Sequence, residues 1–146
     1  MRSMRAIVRS AGLICIVAVF ACADAHDDVA EVVTSMAAAL TDVNVSKFMA
    51  AFSKDMPGYG TLENNVTALV KQGDVSSSIQ TVTEDGDDQA RSIDLDWVLE
   101  VRSLEQDGPL VRRREVIHCE LHKEKKHWKV VSIKPLDFFA AAQLGK

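Results

Sequence analysis

The chain has 146 residues, of which 17 are Lys or Arg and 21 are Asp or Glu, so its formal net charge at pH 7 is −4. A chain of this length has room for one domain of modest core and not for two. The acidic balance disfavours nucleic acid as a partner. The sequence also lacks a glycine-rich phosphate loop and a nucleophile elbow, which disfavours nucleotide and hydrolase chemistry.

The first 23 residues have the pattern of a secretory signal. Three arginines precede an apolar run over residues 11–23, and Asp24 then begins an acidic stretch. The run is too short for a permanent membrane span, and small residues offer cleavage sites after Ala23 or Ala25. The sequence therefore predicts an exported protein, periplasmic or secreted. Removal of the signal takes three basic residues and no acidic residue, which brings the net charge to −7.

A lipid anchor is the alternative for this segment. Residues 19–22, Val-Phe-Ala-Cys, resemble the lipobox of bacterial lipoproteins, in which the cysteine is lipidated. We expect membrane contact only through the signal or through such an anchor at Cys22. Cys119 is then the one cysteine of the folded part. Its place in a strand-like run predicts a buried core residue and not a nucleophile.

Three helices are predicted in the first half of the chain. Apolar residues spaced three and four apart indicate a first helix over residues 27–43. Ser46 is a candidate cap for a short second helix, which the sequence Met-Pro-Gly at residues 56–58 ends. A third helix begins near Thr61 and stops before Gly73.

Four β-strands are predicted in the second half, where the period of the apolar residues changes to two. We expect them over residues 75–84, 90–104, 110–122 and 127–134, joined by short turns into an antiparallel meander. Pro135 ends the last strand. The fold class is therefore α+β, with three N-terminal helices packed against one four-stranded sheet.

Alternation along the strands sorts the side chains into an inner, apolar face and an outer face. Trp97 and Trp128 fall on the inner face. A hairpin loop at residues 105–109 sets Trp97 opposite Ile117, and the next hairpin sets Trp128 opposite Leu121.

The outer face carries an apolar row ringed by charges, formed by Val98, Val116, Val131 and Ile133. In the predicted register Val98 lies across from Val116, and Val116 lies across from Ile133. Such a row is a candidate contact for a homodimer. Ordinary strand propensity at surface positions is the alternative.

The order of elements resembles the nuclear transport factor 2-like superfamily, which includes SnoaL-like proteins and ketosteroid isomerases. The most telling stretches are residues 47–52 on the second helix and residues 127–133, which lead to Asp137-Phe138-Phe139. With its predicted signal, the chain resembles an exported bacterial member of this superfamily. The resemblance implies a cone in which the helices cover the concave face of a curved sheet. It also implies a ligand pocket among inward side chains near the open end: Tyr59, Trp97, Leu99, Arg113, Glu115 and Trp128.

Two carboxylates are weak candidates for catalysis. Ketosteroid isomerases carry an aspartate base in a segment after the second helix, and residues 53–60 are too short to contain that segment. Asp55 could take its role, although an exposed carboxylate at a helix end is the alternative. Glu115 and Arg113 are directed to the apolar side, where they form either a polar handle for a ligand or an ion pair at the rim.

No metal or cofactor is expected. His118, Glu120 and His122 share one strand face, but four strand residues span about 13 Å, so these three cannot hold one ion.

The sequence favours a noncatalytic exported domain over residues 26–140, with a short tail at 141–146. Its expected roles are binding of a small apolar or amphipathic molecule, formation of a homodimer, or both. A cofactor-free isomerase, dehydratase or cyclase is one alternative. A protein-interaction module of the cell envelope is another.

Overall fold

The computed structural model describes residues 17–144, with side chains from residue 24 onward, so most of the predicted signal lies outside the described residues. Three helices come first: α1 over Val17–Thr41, α2 over Val45–Met49 and α3 over Tyr59–Val70. Helix α1 thus starts ten residues before the expected position. No helix in the described range has the length and apolar character needed to cross a membrane.

The start of α2 differs from the prediction. Asn44, and not Ser46, caps it, because the Asn44 side-chain oxygen accepts a hydrogen bond from the Lys47 backbone N–H at 2.9 Å. An asparagine at this position satisfies one of the free N–H groups of the first turn. Helix α3 begins after Gly58, whose φ of 82° lies in the left-handed region that glycine adopts without strain.

The strands confirm the predicted meander. They are β1 over Gly73–Gly86, β2 over Ala90–Ser103, β3 over Leu110–Glu124 and β4 over His127–Lys134. They form one antiparallel sheet in the order β1-β2-β3-β4. A short 3₁₀ helix over Leu136–Phe139 follows.

The register between β2 and β3 is shifted by two residues from the prediction. Trp97 lies opposite Glu115, and Ile117 lies opposite Leu95. The shift arises in the loop between the two strands. Arg102 pairs with Leu110, which centres the loop at residue 106, whereas the predicted loop is centred at residue 107. A two-residue shift exchanges partners but keeps each side chain on its face, so the inner and outer faces of these strands are as predicted.

The prediction that Ile133 lies on the outer face is wrong. A β-bulge in β4 leaves Val131 between the pairs Leu121–Val130 and Glu120–Ser132. One extra residue reverses the alternation beyond it. Ile133 is therefore buried in the core, opposite Cys119.

The chain segment after α2 covers the free edge of β4. The Val130 N–H donates to the Ala51 carbonyl at 2.9 Å, and the Ser53 N–H donates to the Val130 carbonyl at 2.9 Å. Phe52 lies between them in a parallel bridge to Val130. Main-chain pairing of this kind satisfies an edge strand and fixes α2 against the sheet.

Aromatic side chains fill the interior between the helices and the sheet. Trp97 is fully buried, and its ring centroid lies 5.0 Å from that of Phe139 and 6.1 Å from that of Phe138. Phe48 of α2 lies 5.7 Å from Phe139 and 5.1 Å from Phe52. Tilted and edge-on rings at these separations are the favourable arrangements of aromatic pairs.

Candidate functional site

The structure does not bring the six predicted pocket residues together. Trp97 and Leu99 belong to the packed core, and the Trp97 indole N–H donates to the Ser77 hydroxyl at 2.8 Å. Tyr59 and Trp128 line two different grooves on the side of the sheet where α2 lies. The interior that Trp97 faces is occupied by Phe138 and Phe139.

Arg113 and Glu115 point to the inner side of β3, but they do not form an ion pair with each other. Arg113 is partly buried, and its guanidinium donates to main-chain carbonyls of the residues that follow β4. Glu115 is exposed, because β4 ends at Lys134, opposite His118, and leaves this part of β3 uncovered. Glu115 therefore lies at the open edge of the sheet, in contact with solvent.

The first groove, which we call the Trp128 groove, has a volume of about 370 Å³. It lies between α1, the end of α2 and the turn that joins β3 to β4. Its apolar lining comes from Val32, Ala50, Ala51 and Trp128, of which Trp128 is only 4% exposed. The indole N–H of Trp128 is buried and has no hydrogen-bond partner among the described residues.

The charged lining of the Trp128 groove is mostly basic. Lys47, Lys126 and Lys129 line it, against Asp28 and Glu31 on α1. Because the whole chain is acidic, this group of lysines is a local reversal of the protein's charge. A concave site with an apolar lining and a few charged groups is the usual form of a small-molecule site.

Two of these lysines already have neighbours. The Lys129 ammonium donates to the Ala50 carbonyl at 2.5 Å, and the Lys47 ammonium lies 3.9 Å from the Asp42 carboxylate. Lys47 and Asp42 are both exposed, so their pair is held weakly. The Lys47 ammonium can therefore turn toward an anion in the groove, whereas the Lys129 ammonium would have to share its hydrogen bond to Ala50.

The second groove, which we call the Asp55 groove, has a volume of about 650 Å³ and lies on the other side of Lys129. It is lined by the segment after α2 and by the start of α3, and it brings Asp55 and Tyr59 together with Glu63. Asp55 is exposed, but it lies in the turn between α2 and α3 and not at the end of α2, which stops at Met49 and not at residues 56–58 as predicted. The sequence did not predict that Asp55 and Tyr59 share one groove.

The outer face of the sheet holds a hydrogen-bonded cluster that the sequence did not predict. Asp94 Oδ1 lies 2.6 Å from His118 Nδ1, and Asp94 Oδ2 accepts a hydrogen bond from Thr83 at 2.8 Å. Ser92 Oγ lies 3.4 Å from His118 Nε2. The hydrogen bonds from His118 and Thr83 lower the pKa of the Asp94 carboxyl below its ordinary value.

Ion pairs join β2 and β3 on the same face. Arg114 binds Asp96 through two bonds, at 3.0 Å and 2.6 Å, and Arg112 lies 3.5 Å from Glu100. The guanidinium of Arg114 lowers the pKa of Asp96. Val116 lies on the same face, between Arg114 and His118 along β3, and is 55% exposed.

No group of three or more His, Cys, Asp or Glu in the part of the chain that the structure describes could hold a metal ion. Cys119 is a buried core residue, as predicted. Burial raises the pKa of its thiol to about 12, so the nucleophilic thiolate is absent near neutral pH.

No protein-family model and no curated protein matches the chain. Solved structures do match. A protein proposed to be a scytalone dehydratase, from Novosphingobium aromaticivorans, has a TM-score of 0.67 and 10% identity over 79% of this chain and 85% of its own. A proposed dehydratase of the nuclear transport factor 2-like family, from Streptomyces avermitilis, has a TM-score of 0.65 and 11% identity over 77% and 95%. A hexachlorocyclohexane dehydrochlorinase from Novosphingobium barchaimii has a TM-score of 0.63 and 10% identity over 78% and 86%.

These likenesses establish the fold. The chain has the nuclear transport factor 2-like fold, an α+β cone, which the order and pattern of its elements had indicated. Because one fold hosts many unrelated activities, the reactions of the similar proteins do not pass to this chain with it.

Proposed function

We propose that this protein is a noncatalytic domain that binds a small amphipathic molecule with an anionic head group in the Trp128 groove. The observation that carries the proposal is the group of three lysines beside an apolar lining, on a chain whose net charge is −4. The apolar residues would hold the hydrocarbon part of the ligand. The ammonium groups would hold its head group through charge-assisted hydrogen bonds.

The position of Trp128 supports the same ligand class. Its ring, although only 4% exposed, forms part of the apolar lining of the groove, and its buried N–H has no partner among the described residues. An unpaired buried donor costs free energy, which an oxygen of the ligand could recover. A purely apolar ligand would leave both this donor and the lysines unused.

The test is a fluorescence titration with decanoate and with decanol, which share the chain and differ in the head group. Decanoate should change the emission of Trp128, and Lys126→Ala should weaken its binding about tenfold. Lys54→Ala is the matched control, because Lys54 is exposed and lies outside this groove. Trp128→Phe should remove the change in emission on addition of decanoate, while the emission of Trp97 remains. Equal binding of decanol, or an equal effect of Lys54→Ala, would contradict the proposal.

The noncatalytic part of the proposal is supported by the positions of the candidate acids. Glu115 lies in contact with solvent at the edge of the sheet, and Asp55 is exposed in the turn between α2 and α3. Burial is a common means of tuning a catalytic acid or base, and neither of these carboxylates is buried.

A cofactor-free isomerase, dehydratase or cyclase is the second candidate, because Asp55 and Tyr59 line one groove. Asp55 would remove a proton from carbon beside a carbonyl group, and Tyr59 would donate to the carbonyl oxygen. Proton NMR in deuterium oxide with a panel of cyclic ketones tests this chemistry. Exchange that Asp55→Asn abolishes and Glu63→Gln leaves intact would favour the enzyme over the binding domain.

We also propose that the protein forms a homodimer through the outer face of the sheet. Val98 and Val116, which pair with Arg114 and Asp96 and not with each other, would meet their copies across a two-fold axis. Val131 lies farther along the face, at the level of Glu120, and Ile133 takes no part. The acids of β2 and the arginines of β3 make this face complementary to itself. Sedimentation should give a dimer that Val116→Lys converts to a monomer. Val82→Lys, at an exposed valine of β1, is the control, and an unchanged mass for Val116→Lys would reject the contact.

We propose that the protein is exported and that its signal is cleaved after Ala23 and not after Ala25. Ala25 is buried in the core, and His26 Nδ1 lies 2.7 Å from the Glu84 carboxylate of β1. A chain cut after Ala23 keeps both contacts, whereas a cut after Ala25 removes a core residue. The intact mass of the exported protein measures the site, and a lipid-modified Cys22 would instead indicate the anchored form. A membrane-bound form would favour a role as a protein-interaction module of the cell envelope.

A further inference from the structure

Three side chains on the outer face of the sheet follow one another in the order carboxylate, imidazole and hydroxyl. Ser92 and Asp94 lie on β2, and His118 lies opposite Asp94 on β3. Asp94 Oδ1 lies 2.6 Å from His118 Nδ1, and His118 Nε2 lies 3.4 Å from Ser92 Oγ. Thr83 of β1 donates to the other oxygen of Asp94 at 2.8 Å. The same order of groups activates a serine oxygen in proteins of unrelated folds.

Asp94 decides which nitrogen of His118 carries the proton. An ionised carboxylate only accepts hydrogen bonds, so the short contact with Asp94 places the proton on Nδ1. Nε2 is then the basic nitrogen, and it faces the Ser92 hydroxyl. Its other neighbour, the Glu120 carboxylate, lies 4.0 Å away, which is beyond hydrogen-bond distance. Ser92 can therefore give its proton to His118 when its oxygen attacks an acyl carbon.

Ser92 lines a groove of about 330 Å³ at one end of the sheet, which we call the Ser92 groove. Asp85 of β1 and Glu120 of β3 pair with Ser92 on its two sides, and both also line the groove. Neither carboxylate pairs with a lysine or arginine among the described residues. Arg91 of the lining is neutralised by a carboxylate of β1 at 2.7 Å, and the remaining titratable group of the lining is His122. With His122 neutral, the groove therefore attracts a cation to Ser92.

We propose that Ser92 is an acylation site, which takes an acyl group from an ester or thioester with a cationic leaving group. The Ser92 oxygen bonds to the acyl carbon, and the bond from that carbon to the leaving oxygen or sulfur breaks. The Ser92 proton passes to His118 Nε2 and from there to the leaving group, which departs as an alcohol or thiol.

The acylation site is separate from the two sites proposed above. The Ser92 groove shares no lining residue with the Trp128 groove. Ser92 lies four residues from Asp96, the partner of Val116, which is about 13 Å along β2. The site therefore adjoins the Val98–Val116 contact proposed for the dimer without being part of it.

The position of Ser92 favours one transfer over repeated turnover. β2 pairs with β1 on one side of Ser92 and with β3 on the other, so the main-chain N–H groups around Ser92 serve the sheet. They cannot form an oxyanion hole, which is the usual means of speeding both the formation and the hydrolysis of an acyl-serine. Attack by water is then slow, and the acyl group stays on the chain. Such a modification is compatible with a noncatalytic domain.

The test is mass spectrometry after incubation with acetylthiocholine and with S-(3,3-dimethylbutyl) thioacetate, its neutral counterpart. Acetylthiocholine should add an acetyl group at Ser92 that remains after the donor is removed, and Ser92→Ala should abolish this addition. His118→Gln should slow it about 100-fold, because the base is lost. Ser78→Ala is the matched control, since Ser78 is an exposed serine of the same face, opposite Val98, and its loss should leave the rate unchanged.

Two further variants separate the roles of the carboxylates. Asp94→Asn should lower the maximal rate of acetylation at least about tenfold and leave the half-saturating concentration unchanged, because Asp94 positions His118 and does not bind the donor. Glu120→Gln should raise the half-saturating concentration of acetylthiocholine and not that of the neutral thioester. Circular dichroism checks that each variant is folded. The proposal is overturned if acetylation is confined to lysines, if Asp94→Asn reacts at the wild-type rate, or if the neutral thioester reacts as fast as acetylthiocholine.

Discussion

Replacement of Trp97 by alanine measures how completely the interior is filled. The side chain is fully buried, contacts the rings of Phe138 and Phe139, and donates a hydrogen bond to Ser77 at 2.8 Å. Truncation of a buried aromatic residue costs about 3–5 kcal/mol, and loss of the donor adds to this cost. A domain of this size is stable by only about 5–15 kcal/mol, so the variant should lose a large part of its stability.

Urea denaturation followed by circular dichroism measures the loss. With a slope of about 1.5 kcal/mol per molar urea, the midpoint should fall by about 2–3 M. Leu104→Ala is the control, because Leu104 is 71% exposed and its truncation should stay within about 0.5 kcal/mol of the wild type. A cost below about 1 kcal/mol for Trp97→Ala would mean that the indole borders an open cavity, and the description of a packed cone would then be wrong.

Three further predictions follow from single contacts. Hydrogen bonding by His118 keeps the pKa of Asp94 below its ordinary 3.8, so the ionised Asp94 stabilises the fold fully above that value, and this stabilisation is lost as the pH falls through the pKa of the folded state. Asp94→Asn should therefore have a lower urea midpoint than the wild type at pH 6 and the same midpoint near pH 2. Ile133→Thr should cost about 2 kcal/mol or more and Val116→Thr less than about 0.5 kcal/mol in the same assay, whereas equal costs would contradict the bulge in β4. Cys119 should resist iodoacetamide at pH 8 in the folded protein and react in urea, which mass spectrometry detects.

The strands could be predicted from the sequence because one physical signal dominates them. Ile93, Leu95 and Trp97 alternate with polar residues along β2, and only one face of such a strand can be buried. Turn residues such as Asp85-Gly86 marked the strand ends. The prediction of fold class and strand order needed no more than these two signals, and both are confirmed.

The register and the bulge could not be predicted in the same way. The loop after β2 contains several turn-forming residues, and its observed turn has Gly108 donating to the Glu105 carbonyl. Moving the centre of the turn by one residue shifts the register of the two strands by two residues. Such a shift leaves every side chain on the same face, so alternation fits both registers equally well. Nothing in the run Val130-Val131-Ser132-Ile133 marks the extra residue, since valine and isoleucine suit either face of a strand.

The packing of residues 136–142 into the interior was missed although two signals pointed to it. Phe138 and Phe139 are large apolar residues just after the last strand, and Arg113 was predicted on the apolar side without a certain partner. A partly buried cation and two aromatic residues without an assigned place each need partners, and the packing of residues 136–142 against Arg113 and Trp97 supplies them. The predicted pocket assigned this need to a ligand, whereas in the structure the chain meets it itself.

The lengths of the elements explain why the interior is filled. Helix α2 has 5 residues and is about 7.5 Å long, whereas β2 has 14 residues and extends over about 45 Å. Helix α2 contributes Phe48 to the cover over Trp97, and Phe138 and Phe139 of the segment after β4 add to that cover. The segment after α2 pairs with β4 and does not lengthen α2. Concave space is then left beside α2, in the Trp128 and Asp55 grooves. The grooves therefore offer space to a ligand without rearrangement of the packed interior.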